Sequence, residues 1–367
     1  MDNRLIMNKF LSIAAIAAAA VSCAAPVQPR TLLVGSYTED SRPADNRGVF
    51  LYSLDPQTLE ATQIGVARSG NPSFVIQAPD GAYAVNEFND GQQGVSSYTF
   101  DAEGIKLVSQ ASIPTGGEDP CNILYTGGAI VTSNYTGGSI STFKIEEDGS
   151  IGPLTQTWVP ELPGPAHIHC AVLSPDGKYI FAADLGNDCI HRFVRQDGPA
   201  PLGESILAWS NADSVKYGPR HLTFSPDGKF AYLLCELGDK LVCFSYNDGV
   251  LEPIQTLDAY QGEGHGSADI HLTPDGRFLY TSHRLKEDGV AVFAVDSASG
   301  LVDPVGYQPT GIHPRNFAVT PDGKLLLCAC RDSDRIEIYR IDGVSGLLTD
   351  SGKAISVPAP VCVKVVR

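Results

Sequence analysis

Methionine and tryptophan each occur only twice in 367 residues, and charged residues make up just 19% of the chain. No window holds apolar residues at a 3.6-residue period for three turns, which excludes a stack of helical hairpins. Basic charge is also scarce, with 26 Lys and Arg against 42 Asp and Glu for a net charge of −16. A general nucleic-acid binder needs a counterion-releasing basic surface. Nucleic acid is therefore not an expected partner, and an anionic ligand must find a local cluster. Close CxxC spacing is missing, which removes the common zinc and redox frames. Disorder is excluded by the 43% of hydrophobic residues. What the chain has in quantity is 37 Gly and 25 Pro, with apolar residues leaning toward Val, Ile, Tyr and Phe. That is the composition of an all-β fold with many turns.

One segment departs from this composition. Phe10 to Ala20 is small and apolar apart from Ser12, follows Arg4 and Lys9, and leads into Val21-Ser22-Cys23. The run is about half of the roughly 20 residues a membrane span needs, and its order is that of a secretory signal. Ala20-Val21-Ser22-Cys23 resembles the bacterial lipobox, in which the cysteine is lipidated and becomes the new N-terminus. The expected organisation is a lipoprotein signal peptide over 1–22, lipidation at Cys23, a short linker over 23–30 and a single domain over 31–367. This implies an exported protein anchored at the periplasmic side or cell envelope, touching the membrane through its lipid alone. An ordinary signal peptide cut near Ala24 or Ala25 is the alternative. Loss of Asp2, Arg4 and Lys9 with the leader takes the net charge from −16 to −17. The eight remaining cysteines, among them Cys121, Cys170, Cys328 and Cys330, sit in apolar runs and read as small core residues.

Self-similarity organises the rest. Pro-Asp-Gly recurs at Pro79, Pro175, Pro226, Pro274 and Pro321, at intervals of 96, 51, 48 and 47. Thr126-Gly127-Gly128 stands where the first, doubled interval lacks its turn. A seventh unit is split between the chain ends: Thr31-Leu-Leu-Val-Gly-Ser-Tyr matches the strand after each turn, and Pro360-Val-Cys-Val-Lys-Val-Val the strand before it. A unit of four short β runs, for example Ile168 to Leu173, Tyr179 to Ala183, Ile190 to Val194 and Ser205 to Trp209, has the layout of a propeller blade. The expected fold is a seven-bladed β-propeller with four antiparallel strands per blade, its last blade closed by the N- and C-terminal strands so that no sheet edge stays open. The Asp-Gly of each turn is expected to supply positive φ.

At the blade starts, the residues one position after Pro72, Pro120, Pro219, Pro314 and Pro360 and their equivalents diverge: Ser73, Cys121, His169, Arg220, Ala268, Arg315 and Val361. The next position adds His221, Asp269 and Asn316. In an antiparallel blade the end of the second strand lies at the same edge, which brings Asp184, Glu236, Arg284 and Arg331 to the same channel mouth. A knot of arginines on an acidic protein points to a small anion held bidentately. A competing reading pairs these charges with each other, Arg220 with Glu236 and Arg284 or Arg331 with Asp184 or Asp269. His167 and His169, two apart and on one face of a strand, admit general acid or base work. A metal held by both histidines and a carboxylate is a further alternative.

The segments Gly35-Ser-Tyr-Thr-Glu, Asn71-Pro-Ser-Phe, Ala84-Val-Asn-Glu, Asn134-Tyr-Thr-Gly-Gly-Ser, His167-Ile-His, Asp184-Leu-Gly-Asn-Asp, Gly218-Pro-Arg-His-Leu-Thr-Phe, Pro314-Arg-Asn-Phe and Pro360-Val-Cys-Val together resemble the bacterial seven-bladed lactonase family. That family includes propeller-type 6-phosphogluconolactonases and is similar to carboxy-cis,cis-muconate cyclases. The resemblance implies a site free of metal and cofactor, with His169, Arg220, Glu236 and Arg315 or Arg284 as catalytic residues. His283 and Arg331 depart from the family pattern.

On this basis the expected activity is hydrolysis of a sugar-acid lactone. His169, oriented by Glu236, draws a proton from water, Arg220 stabilises the oxyanion, and Arg284, Arg315 and Arg331 hold the substrate's anionic group, with His167, Asp184, His221 and Asp269 as further substrate contacts. 6-Phosphogluconolactone is a cytosolic compound, so an exported relative is expected to open an unphosphorylated aldonolactone or uronic-acid lactone. A muconate-type cyclase or isomerase, and a lipid-anchored glycan- or protein-binding platform without catalysis, are the alternatives.

Overall fold

The structure, a computed structural model, describes residues 28–38, 48–79, 81–101, 104–107, 112–262 and 264–366. The expected leader and Cys23 lie outside the described residues. Among the described residues no helix is long and apolar enough to cross a membrane.

Seven antiparallel sheets form a closed propeller. Blade 1 covers 75–114, blade 2 120–158, blade 3 168–210, blade 4 219–258, blade 5 267–309 and blade 6 314–356. Blade 7 is the composite one: Pro360–Val366 supplies the inner strand, and Arg30–Ser36, Gly48–Leu54 and Ala61–Arg68 the other three. Val34 pairs with Val363 and Leu33 with Lys364 across the closure. Blade 1 has a short fifth strand, Ile113–Pro114, paired with the strand Gly94–Asp101. The Arg30 guanidinium also ties the closing strand to Asp322 of the blade 6 hairpin at 2.6 Å.

The first hairpin of blades 3 to 6 differs in one detail from the sequence expectation. Only the glycine is left-handed, at φ 70°, 71°, 72° and 67° for Gly177, Gly228, Gly276 and Gly323. The aspartate instead accepts hydrogen bonds, as when Asp176 Oδ1 takes Ser174 Oγ at 2.5 Å and the Lys178 amide at 3.1 Å. Thr126-Gly127-Gly128 does turn blade 2, closed by the Thr126 amide on Ala129 O at 3.0 Å.

Core residues lie between neighbouring blades, where Phe181, Leu222, Leu233 and Phe244, for example, pack without solvent contact or nearly so. Alternating inward residues on each sheet face supply these layers. Buried tyrosines reach across them: Tyr83 donates its hydroxyl to Gly149 O at 2.9 Å, and Tyr280 to Gly346 O at 2.8 Å. The eight described cysteines are buried free thiols, as their apolar context implied.

Two devices fix where blades begin, the first of them in blades 4 to 7. An aspartate after the second strand holds the loop into the next blade: Asp188 accepts from the Gly218 amide at 2.7 Å, Asp239 from His265 at 2.7 Å, Asp288 from His313 at 2.8 Å and Asp334 from Ala359 at 2.8 Å. The inner strand then opens on a bulge. Ile168 pairs with Asp184 but Cys170 with Ala183, and Pro219 pairs with Cys235 but His221 with Leu234. The same skip occurs at Arg315, Cys121 and Val361. Proline has no N–H for the ladder, so a bulge next to it is cheap, and a bulge re-aims the side chain it carries. This is why the divergent position of the sequence faces the channel.

Candidate active site

The bulged residues, with Ser73 as their counterpart in blade 1, form a ring around the channel. Ser73, Cys121, His169, Arg220, Arg315 and Val361 all line its throat. A second ring lies above it, made by the residue after each second strand, whose amide returns to the carbonyl just before the bulge. Its members are Tyr37 (to Ala359 O, 3.0 Å), Glu87 (to Asn71 O, 3.0 Å), Tyr135 (to Asp119 O, 2.8 Å), Leu185 (to His167 O, 3.0 Å), Glu236 (to Gly218 O, 2.7 Å), Arg284 (to Gly266 O, 3.3 Å) and Arg331 (to His313 O, 3.0 Å). His169, Arg220, Glu236, Arg284 and Arg315 therefore share one mouth.

Glu236 binds two arginines at once. Arg220 Nε donates to its Oε2 at 2.7 Å and Arg284 Nη2 to its Oε1 at 2.6 Å. Burial pushes the Glu236 carboxyl up, but Arg220, Arg284 and Arg315 more than offset it and keep it below the usual range. Both Glu236 oxygens bond guanidinium groups, and among the described residues no hydrogen bond joins Glu236 to His169. Arg220 Nη1 donates to Ala268 O at 2.5 Å and lies 3.3 Å from His221 Nε2, and Nη2 has no bond among the described residues. Arg284 adds Nε to Gly266 O at 3.2 Å and Nη1 to His313 Nε2 at 3.2 Å. Burial and Arg220 lower its pKa to about 9.

Arg315 is less committed. Among the described residues its one hydrogen bond runs from Nη2 to Glu87 Oε2 at 3.5 Å, and its guanidinium lies 5.4 Å from the centre of the Tyr37 ring. Burial disfavours its charge, but Tyr37 and Glu87 outweigh that and hold the proton more firmly than usual. Tyr37 donates its hydroxyl to Glu87 Oε1 at 2.8 Å. Arg331 is chelated by Asp332 at 2.7 and 3.0 Å and lies 6.0 Å from the Tyr37 ring. Each arginine therefore has a carboxylate, as the competing sequence reading held for Arg220 and Glu236. The partners of Arg284 and Arg331 are Glu236 and Asp332, not Asp184 or Asp269.

His169 is 5% exposed, edge-on to Tyr135 at 5.6 Å and to His221 at 5.3 Å. Burial first, then Arg220, His221 and Arg315, push its pKa well below the ordinary 6.5, so the ring is neutral. Nδ1 is sealed inside without a partner among the described residues. His167 precedes the bulge, stacks on the Tyr135 ring at 4.6 Å and meets Tyr135 O through Nδ1 at 2.9 Å. The intervening bulge breaks the two-residue period that would have put both histidines on one face.

Two other sequence candidates sit away from the mouth opening. Asp184 is one residue short of the mouth ring, whose member in blade 3 is Leu185, and so faces the opposite way. Its carboxylate accepts the amides of His167 (2.9 Å) and Asn187 (3.0 Å), Asn187 Nδ2 (2.7 Å) and His191 Nε2 (3.4 Å). With Cys189 and His191 it has ligand atoms within 4.8 Å, but that set is already closed by these bonds. Asp269 is 2% exposed and bonded to His221 at 2.7 Å. Tyr37, Glu87 and Tyr135 were missed. Carrying the second-strand count into blade 7, which is split, blade 2, which lacks Pro-Asp-Gly, and blade 1, which has it at Pro79, would have found them.

Residues 31–365 match the family described as lactonase, 7-bladed beta-propeller. The 6-phosphogluconolactonase of Formosa agariphila is 32% identical over 341 residues, covering 86% of this chain and 94% of its own. Among solved structures, a Bacteroides uniformis protein proposed to be a 6-phosphogluconolactonase is 45% identical with a TM-score of 0.87, covering 93% of this chain and 100% of its own. The periplasmic gluconolactonase PpgL of Pseudomonas aeruginosa is 31% identical with a TM-score of 0.83, over 93% and 99%. The seven-bladed fold and the match over residues 31–365 agree, and the chain belongs to the lactonase family of seven-bladed β-propellers.

Proposed function

We propose that the protein hydrolyses a sugar-acid lactone at this mouth. The observation that carries the reading is the pairing of a neutral, buried His169 with an Arg220 whose Nη2 edge is unengaged and whose other nitrogens are fixed. His169 accepts a proton from water as its oxygen bonds to the lactone carbonyl carbon. The oxyanion forms against Arg220, which is rigid and already charged, so little reorganisation is needed. When the ring C–O bond breaks, the imidazolium returns the proton to the departing alkoxide. The product is the open hydroxy acid, which ionises. Glu236 does not touch the reacting atoms and serves by holding Arg220 and Arg284.

Arg315, with Glu87 and Tyr37, is the group for the sugar hydroxyls and acid function. Each mouth arginine faces a carboxylate, which supports an unphosphorylated aldonolactone or uronic-acid lactone over a phosphate dianion. The name of the Pseudomonas relative, a periplasmic gluconolactonase, supports the same substrate and an exported location. Anchoring through Cys23 rests on the Ala20-Val21-Ser22-Cys23 motif. The test is proton release from glucono-1,5-lactone. Activity above spontaneous hydrolysis that disappears in His169→Ala is expected, and a wild-type rate equal to the spontaneous one would overturn the assignment.

A further inference from the structure

We infer that His221 and Asp269 are a positioning pair that locks the Arg220 guanidinium so that its Nη2 edge alone is presented to the lactone. The inference rests on the lactonase reading for its consequence, and on geometry alone for the lock.

An arginine nitrogen can only donate. The approach of Arg220 Nη1 to His221 Nε2 at 3.3 Å therefore requires a lone pair on Nε2, and the ring hydrogen must sit on Nδ1. Nδ1 meets Asp269 Oδ1 at 2.7 Å, a match for that tautomer and for no other neutral one. The aspartate cannot easily swing away. Its other oxygen accepts from His271 Nε2 at 2.9 Å, from Asn316 Nδ2 at 2.5 Å and from the Phe317 amide at 3.2 Å, so it is clamped by blades 5 and 6. Burial and Arg220 hold His221 neutral, with a pKa near 4.

A guanidinium is planar, so fixing two nitrogens fixes the third. Glu236 fixes Nε, while Ala268 O and His221 fix both hydrogens of Nη1. Without the His221 acceptor one N–H of Nη1 is left unsatisfied in a buried site, and the group gains by rotating or shifting to satisfy it. Misplacement of a catalytic group by about 1 Å can cost about 100-fold in rate.

Two substitutions separate this role from a packing role. In His221→Asn the carboxamide reaches only the Nδ1 position, so it keeps Asp269 and loses Arg220. In His221→Gln the carboxamide oxygen reaches the Nε2 position and can accept from Nη1. With glucono-1,5-lactone, the Asn variant should lose roughly 10- to 100-fold in kcat with little change in KM, and the Gln variant should recover most of that loss. Guanidinium resonances of ¹⁵N-Arg-labelled protein give a second readout that needs no activity. Arg220 should show slow rotation about Cζ–Nη1 in the wild type and the Gln variant, and fast rotation in the Asn variant. Equal kcat in wild type and the Asn variant, or equally slow Arg220 rotation in all three, would overturn the pair. If the wild type opens no lactone, the lactonase reading fails, and the spectra still decide the lock.

Discussion

Glu236 and Arg284 meet at 2.6 Å, and the other oxygen of the same carboxylate holds Arg220 at 2.7 Å. One acidic side chain from blade 4 thus sets the distance between two arginines of blades 4 and 5. Glu236→Gln keeps the shape but replaces one acceptor oxygen by a donor, which faces a guanidinium. Activity should fall by about 10- to 100-fold in kcat, and loss of the partner to two buried arginines should cost about 3 kcal/mol of stability. Steady-state kinetics and a urea titration of the same preparation measure both.

Arg220→Lys retains a positive charge but not the fixed fork. A lysine cannot bond Glu236, Ala268 and His221 while presenting a further edge. The expected loss is about 100- to 1000-fold in kcat, the usual cost of one oxyanion donor, with a smaller rise in KM. A change confined to KM would show instead that Arg220 only binds substrate.

The low pKa of His169 gives a direction for the pH profile. A base whose pKa lies well below 6.5 is already deprotonated at neutral pH. The kcat/KM profile should therefore be flat from about pH 6.5 to 8, with its acid limb displaced below the ordinary histidine range. An acid limb at or above 6.5 would contradict the buried, arginine-flanked setting of the ring.

Arg315 should act on binding. Removing it as Arg315→Ala is expected to raise KM for a uronic-acid lactone about 10-fold and change kcat less, since one charge-assisted contact of about 1.5 kcal/mol is lost. Tyr37→Phe, which frees Glu87 Oε1, should shift KM in smaller measure. Comparing gluconolactone with a uronic-acid lactone in both variants shows whether the site reads hydroxyls or the carboxylate.

Stability should fall in mild acid for a reason apart from catalysis. His221 and His283 are buried with pKa lowered to about 4 and about 3, His283 by burial and His221 by burial and Arg220. Unfolded, each returns to about 6.5. The unfolded chain thus binds more protons between these values, so the stability contributed is complete above pH 6.5 and declines as pH falls toward 4. Each such histidine contributes a slope of up to about 1.4 kcal/mol per pH unit. Thermal unfolding at pH 7, 6 and 5 should show a steadily falling Tm, and Asn in place of His283 should flatten the slope.

The propeller was legible because its repeat is written in turn chemistry. Pro-Asp-Gly marks the hairpins, and the split seventh unit follows from matching Pro360 to Val366 with the inner strands. The observed strands Ile168–Leu173 and Tyr179–Asp184 lie within one residue of their expected ends. The bulges were not legible, because a ladder slip depends on how two strands meet and leaves at most a proline as a trace, and in blade 3 Ile168 stands in its place. That slip separates His167 from His169, and a one-residue error in the strand end placed Asp184 where Leu185 stands. Pairing was half legible. Arg220 with Glu236 could be read from adjacent strands of one blade, but Arg284 with Glu236 joins two blades, and Arg315 with Glu87 spans most of the chain.

The composite blade gives the molecule a front and a back. Arg30 starts its strand beside Asp322, in the hairpins at the end remote from the mouth, and Ser36 finishes at the mouth side. The chain thus enters the propeller at the end opposite the mouth. Entry strand and arginine vestibule therefore occupy opposite poles of the ring, so solutes reach the vestibule without passing the point where the chain comes in.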